Sequence, residues 1–257
     1  MRRPPPKATR RRGGRWYKLD LFGYEGLAET VASRLLEHTN LRELGFSFVP
    51  YRMEQLEVHG RKRTGCSSPD FLQEGEAILT LAELFRKGAG PDWQAQVSRL
   101  PNLASRVRWM ADPTRQLTGL DRFGEYLTAL FEADMLFGNE DRHLNNIAVL
   151  RRGGGFAYCP FFDFGAGLLS NTRDFPLDVI PKALVGQLWA QPLGTLFARQ
   201  VHAAQGEFCP QLRWDFTETH IAAALVEALP YYAQRDRGLL RDRVEWCLKV
   251  QQRKLLS

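Results

Sequence analysis

Asn139-Glu140-Asp141-Arg142-His143-Leu144-Asn145-Asn146, followed downstream by Phe162-Asp163-Phe164-Gly165, carries the strongest signal in the chain. On its N-terminal side, residues 117–137 read as a long helix. Leu120, Phe123, Leu127, Leu130, Phe131 and Met135 recur at helical spacing, and Gly138 supplies a stop. On its C-terminal side, residues 147–151 form a short apolar run and Gly153-Gly154-Gly155 a turn. Residues 156–162 return to the Asp-Phe-Gly tripeptide. Helix, polar loop, two-stranded ribbon and Asp-Phe-Gly follow one another in that order.

Each motif alone is weak, but together and in this context they point to phosphoryl transfer. Asp141 is placed to accept or orient a hydroxyl proton. Asn146, five positions on, and Asp163, beyond the hairpin, are hard oxygen ligands suited to Mg2+ that bridges nucleotide phosphates. His143 follows Asp141 rather than preceding it, so it is read as bracing the loop or touching a phosphate rather than as a base. ATP and Mg2+ are the expected ligands.

A cation must also meet the α- and β-phosphates. Residues 15–21 alternate as a strand with Lys18 at its centre, and residues 23–39 read as a helix. Glu25 and Glu29 lie one turn apart on that helix and either reaches back toward Lys18; Glu25 lies nearer the apolar face. Residues 46–58 and 62–67, joined across His59-Gly60, read as an antiparallel pair. Residues 76–87 read as a second amphipathic helix and residues 91–111 as helical in patches. Beyond residue 181 the pattern is mostly helical, over 181–190, 193–204, 217–229 and 236–253. The expected architecture is α+β and two-lobed. A disordered basic arm spans 1–15, a small reduced N-lobe 16–73, and a larger helical C-lobe with the catalytic loop 74–257, with a cleft between the lobes.

The chain has 257 residues, 44% hydrophobic and 25% charged, which excludes a fibrous or wholly disordered protein. Its net charge of +6 is a property of one end. Arg2, Arg3, Lys7, Arg10, Arg11, Arg12 and Arg15 give residues 1–15 seven positive charges and no acid, so residues 16–257 sum to −1. A Pro- and Arg-rich arm reads as solvated, with weak nucleic-acid contact as its alternative role. No uncharged apolar run reaches the length of a membrane span, so no membrane partner is expected. The four cysteines are scattered without a Cys-x-x-Cys pair, which fits a reducing cytoplasm.

At Tyr17-Lys18-Leu19-Asp20, the helix from Glu25 to Leu36, Asn139 to Asn146 and Phe162 to Gly165, the sequence resembles the HipA-like kinases, a bacterial branch of the protein-kinase-like fold. The resemblance implies that Lys18 is the phosphate lysine and Glu29 its partner, although Ala28 stands where the family has Asn. It implies Asp141 as catalytic residue and Asn146 and Asp163 as metal ligands. It further implies ATP, magnesium and a serine or threonine hydroxyl on a protein substrate. Some members are toxins held by a small DNA-binding antitoxin, which makes such a protein a candidate partner.

Kinases cover the nucleotide phosphates with a Gly-rich hairpin ahead of the lysine strand. Here Gly13-Gly14 is its only remnant, so the N-lobe is expected to be reduced or completed by a partner. Two other readings stay open: a phosphoinositide-type lipid kinase, which shares Asp-Arg-His-x-x-Asn and Asp-Phe-Gly, and a nucleotide-binding pseudokinase.

Overall fold

The computed structural model describes residues 9–88, 90 and 92–256. Its small lobe is a four-stranded antiparallel sheet of β1 (Thr9–Arg12), β2 (Arg15–Leu19), β3 (Arg52–Val58) and β4 (Arg61–Pro69), in the order β1-β2-β4-β3. β3 and β4 close through His59 and Gly60, both at positive φ (51° and 71°), as a two-residue hairpin needs to match strand twist. α1 (Glu25–Leu36) covers the sheet and buries Leu27, Val31, Leu35 and Leu36. Ala28 and Ala32, also buried, let the helix lie close. Gly65 in β4 has a similar reason: a Cβ there would stand 2.0 Å from the Lys18 carbonyl oxygen.

The basic arm does not run to residue 15 as expected. Thr9–Arg12 form a strand on β2, with Thr9 opposite Lys18 and Arg12 opposite Arg15, and Gly13 and Gly14 turn between them at φ 56° and 72°. Arginine has no objection to extended backbone, and the outer edge of β2 offers unpaired N–H and C=O groups to bond. Charge composition describes side chains and says nothing of that edge. The triproline and three of the arm's seven positive charges, Arg2, Arg3 and Lys7, fall on residues 1–8, outside the described residues.

The larger lobe holds α2 (Leu81–Gly88), α3 (Trp93–Ser98), α4 (Leu103–Thr118), α5 (Phe123–Phe137), α6 (Pro181–Val185), α7 (Phe197–Phe208), α8 (Glu218–Ala228) and α9 (Arg237–Leu256). A second sheet, β5 (Ala77–Thr80), β6 (Ala148–Arg152) and β7 (Gly155–Tyr158), lies beneath the small lobe. α5 is the axis of this lobe, with every residue buried except Glu125. Among the described residues no helix is long and apolar enough to cross a membrane.

Among the elements that differ from the sequence reading, three lie around the catalytic loop and its ribbon. Residues 77–80 leave the expected helix and pair with β6, Ala77 opposite Arg151 and Thr80 opposite Ala148, because the ribbon needs a third strand on that edge. α4 continues through Pro113 to Gly119, which ends it at φ 71°, so the next helix starts at Phe123 rather than 117. β7 ends at Tyr158, and Phe161 instead bridges Phe48, tying the ribbon to the small lobe.

Candidate active site

Lys18, at the centre of β2, donates to two carboxylates from distant parts of the chain. Glu29 Oε1 lies at 2.5 Å and Asp163 Oδ1 at 2.9 Å. Burial alone would lower the lysine pKa; Asp163 and then Glu29 more than reverse this and raise it well above the ordinary value, so the ammonium stays charged. Glu29, buried in α1, uses its other oxygen to accept from the Phe164 amide at 2.8 Å. One carboxylate thus joins the lysine strand to the Asp-Phe-Gly turn.

Glu25 does not meet Lys18. Its carboxylate accepts from the amides of Leu21, Phe22 and Gly23 at 3.1, 2.7 and 3.0 Å, and so holds the turn that leads into α1. The choice between the two glutamates therefore falls to Glu29. Asp20 completes this entry by accepting from the Gly26 amide (2.6 Å) and the Tyr232 hydroxyl (2.7 Å), and burial pushes its pKa up to about 6.

Across the cleft, Asn146 Nδ2 donates to the Asp141 carbonyl at 2.6 Å and to Asp141 Oδ2 at 3.3 Å. His143 Nε2 stands 3.5 Å from Asp141 Oδ1, and the His143 carbonyl accepts from the Asn146 amide. Asp163 sits at φ 67°, a left-handed conformation that costs a non-glycine residue of order 1 kcal/mol or more. Its neighbours fix it there. Asn139 and Arg142 donate to its carbonyl, while Glu29 takes the next amide.

Arg142 is the functional residue that the sequence reading passed over. It is fully buried and pairs with Asp134 of α5 at 2.9 Å. Its remaining donors serve the carbonyls of Asn146 (3.0 Å) and Phe162 (2.8 Å). The loop, the ribbon and the Asp163 turn are thereby fastened to one guanidinium. The only sequence signal for it is its place between Asp141 and His143; nothing marks Asp134.

Gly13 and Gly14 lie apart from this group. The Gly14 carbonyl accepts from the Asp70 amide at 2.8 Å, and Arg15 pairs with Pro69, so the turn sits over the connector between lobes. Lys18 is four residues along the strand, about 13 Å away at the usual rise. Neither glycine is among the described residues that line the cavity in front of Lys18.

A cavity of about 350 Å³ opens in front of Lys18. Its wall carries Glu25, Glu29, Glu140, Asp141, Asp163 and Asp174, with Lys18 as the one basic residue among the described lining. Such a wall repels a bare polyphosphate and admits one that arrives with cations. That donor set fits magnesium, which uses one or two carboxylates, retains waters and shares the nucleotide's oxygens. Among the described residues no group of three or more His, Cys, Asp or Glu forms a self-sufficient metal site.

No family model and no curated protein matches the chain. Solved structures do. The Helicobacter pylori proinflammatory kinase CtkA is 15% identical and superimposes with a TM-score of 0.61 over 95% of this chain and 88% of its own. HipA of Shewanella oneidensis MR-1, solved with HipB and operator DNA, is 14% identical with a TM-score of 0.47, over 93% of this chain and 58% of its own. The mixed architecture of small sheets and many helices is thus the kinase-like fold that CtkA adopts.

Proposed function

We propose that the protein is a kinase that transfers the γ-phosphoryl group of ATP, in the presence of magnesium, to a serine or threonine hydroxyl of a protein. The observation that carries this reading is the Lys18–Glu29–Asp163 cluster sharing one cavity with Asp141, whose carboxylate and carbonyl are held by Asn146. Lys18 holds phosphate oxygens of the nucleotide, and Glu29 keeps it aimed. Asn146 and Asp163 would hold the cation, which neutralises charge on the transferring group when bound. Asp141 orients the acceptor hydroxyl and takes its proton as the oxygen–phosphorus bond forms and the bond to the ADP oxygen breaks. His143, beside Asp141, keeps that carboxylate in place. The fold shared with a kinase supports the reading. The acidic wall favours a protein acceptor over an anionic lipid head group.

The test is transfer from labelled ATP with magnesium to a mixed protein acceptor, followed by phosphoamino-acid analysis. Asp141→Ala is expected to retain nucleotide binding and to lower the rate by roughly 10² to 10⁴. Asp163→Asn is expected to abolish magnesium-assisted nucleotide binding. An Asp141→Ala rate equal to wild type overturns the assignment, and label on inositol lipids alone reverses the choice of acceptor.

A further inference from the structure

Residues 166–180 run from the Asp-Phe-Gly turn to α6 without regular secondary structure, and Ala166, Ser170, Asn171, Asp174 and Phe175 line the cavity. Such a segment has carbonyls that no ladder satisfies, so it needs partners from elsewhere. Arg243 of α9 supplies them. Its guanidinium donates to the carbonyls of Phe175 (2.6 Å), Pro176 (2.5 Å) and Val179 (3.0 Å). The side chain is 2% exposed and makes no ion pair among the described residues. A buried cation without a carboxylate is costly, and it is sustained here by the five-donor fork matching three carbonyls of one short stretch.

The other end of the segment is tied to the small lobe. The Tyr24 hydroxyl donates to the Leu168 carbonyl at 2.6 Å, and the Tyr24 amide to Ser170. Asn171 bridges Gly23, where a Cβ would stand 2.1 Å from the Ser170 carbonyl oxygen. Tyr24 directly precedes α1, which carries Glu29. The segment's two hydroxyls are already engaged: Ser170, fully buried, donates to Gly165 at 2.5 Å and Thr172 to Phe22 at 2.8 Å. A phosphate on either would break these bonds. Arg173 lies over the Phe22 ring at 4.6 Å.

We infer that Arg243 and Tyr24 are positioning residues that hold the acceptor-side wall of the cleft in its working conformation, so that transfer needs no phosphorylation of residues 166–180. The inference rests on the kinase reading above and specifies how that same site is kept ready.

The experiment compares wild type, Arg243→Met, Arg243→Lys and Tyr24→Phe. Hydrogen exchange is followed at amides 167–180, nucleotide binding by a fluorescent ATP analogue with magnesium, and transfer from labelled ATP to a mixed protein acceptor. For Arg243→Met, exchange in the segment is expected to rise at least tenfold and transfer to fall at least tenfold. Nucleotide affinity is expected to change less than twofold. Arg243→Lys, which restores a charged donor without the fork, recovers part of both losses. Tyr24→Phe loses the hydroxyl's bond to Leu168 and its interaction with Arg243 but keeps the arginine's bonds to the segment, and gives the smaller change in the same direction. Phosphatase-treated wild type keeps its full rate. Unchanged exchange in Arg243→Met overturns the inference whatever the activity, as does loss of transfer on phosphatase treatment. If Arg243→Met does not fold, Tyr24→Phe and the phosphatase arm decide. Wild type that binds no nucleotide and transfers no phosphate refutes the kinase reading instead, and the exchange data still judge whether Arg243 and Tyr24 hold the segment.

Discussion

Glu29 serves two partners from different parts of the fold, and the consequences of changing it differ for each. Glu29→Gln keeps an acceptor for the Phe164 amide but leaves Lys18 with one carboxylate instead of two. Asp163 still compensates the ammonium, so the loss is smaller than for a buried charge left without any partner. The expected outcome is a lower urea midpoint, a raised KM for ATP and at least a tenfold fall in kcat, read by chemical denaturation and steady-state kinetics. Asp20 gives a pH signature. Its carboxyl titrates near 6 in the folded protein against 3.8 for the free side chain, because burial outweighs the bonds from Tyr232 and Gly26. The folded state therefore holds this proton more tightly. Its stabilising effect is complete below the unfolded value and is lost as pH rises from about 4 to 6. Asp20→Asn offers the same two partners without the charge. Relative to wild type its unfolding free energy is expected to rise by up to about 3 kcal/mol between pH 4 and 7. A pH-independent difference between the two proteins refutes the assignment.

At the scale of elements, β2 is the strand on which the site depends, since it carries Lys18 between two neighbours. Gly65→Ala puts a methyl onto the Lys18 carbonyl. Overpacking of this kind costs about 1–3 kcal/mol, and here it also shifts the lysine. The expected result is weaker nucleotide binding together with a lower melting temperature. Removing residues 1–12 takes away β1 and leaves the β2 edge open. The truncated protein is expected to aggregate during thermal unfolding and to raise the KM for ATP, which light scattering and kinetics measure. An unchanged melting temperature and KM show that β1 is dispensable. Sequence was a poor guide at β1, read as part of a solvated arm, and at β5, read as part of a helix. The apolar positions Ile78, Leu79, Leu81, Leu84 and Phe85 suit one helical face, and a four-residue strand is too short to break that pattern. The pairing of β5 with β6 is decided far along the chain, Ala77 opposite Arg151 and Thr80 opposite Ala148.

In the whole molecule, what could be read in advance is what lies close in sequence. Asp141, Asn146 and Asp163 share one loop and ribbon, so order and spacing reveal them together. Lys18 and Glu29 meet around a turn, and two glutamates one helical turn apart competed until the backbone amides of residues 21–23 claimed Glu25. Arg142 and Arg243 were illegible because each acts where elements far apart in the chain converge, and isolated from those elements a buried arginine looks like any surface one; Asp134, only eight residues from Arg142, was illegible because nothing in the sequence shows that either is buried. The charge of the cleft was equally hidden, since a nearly neutral body gives no hint that six carboxylates and one lysine face the same space. Seen as a target for small molecules, that wall reverses the usual preference for phosphate mimics. An anionic inhibitor designed to imitate the nucleotide's tail brings no counter-charge and meets repulsion. A compound that extends an amine or amidine toward Glu140 and Asp174 finds attraction without any metal, and gains selectivity over enzymes whose clefts are built to welcome anions.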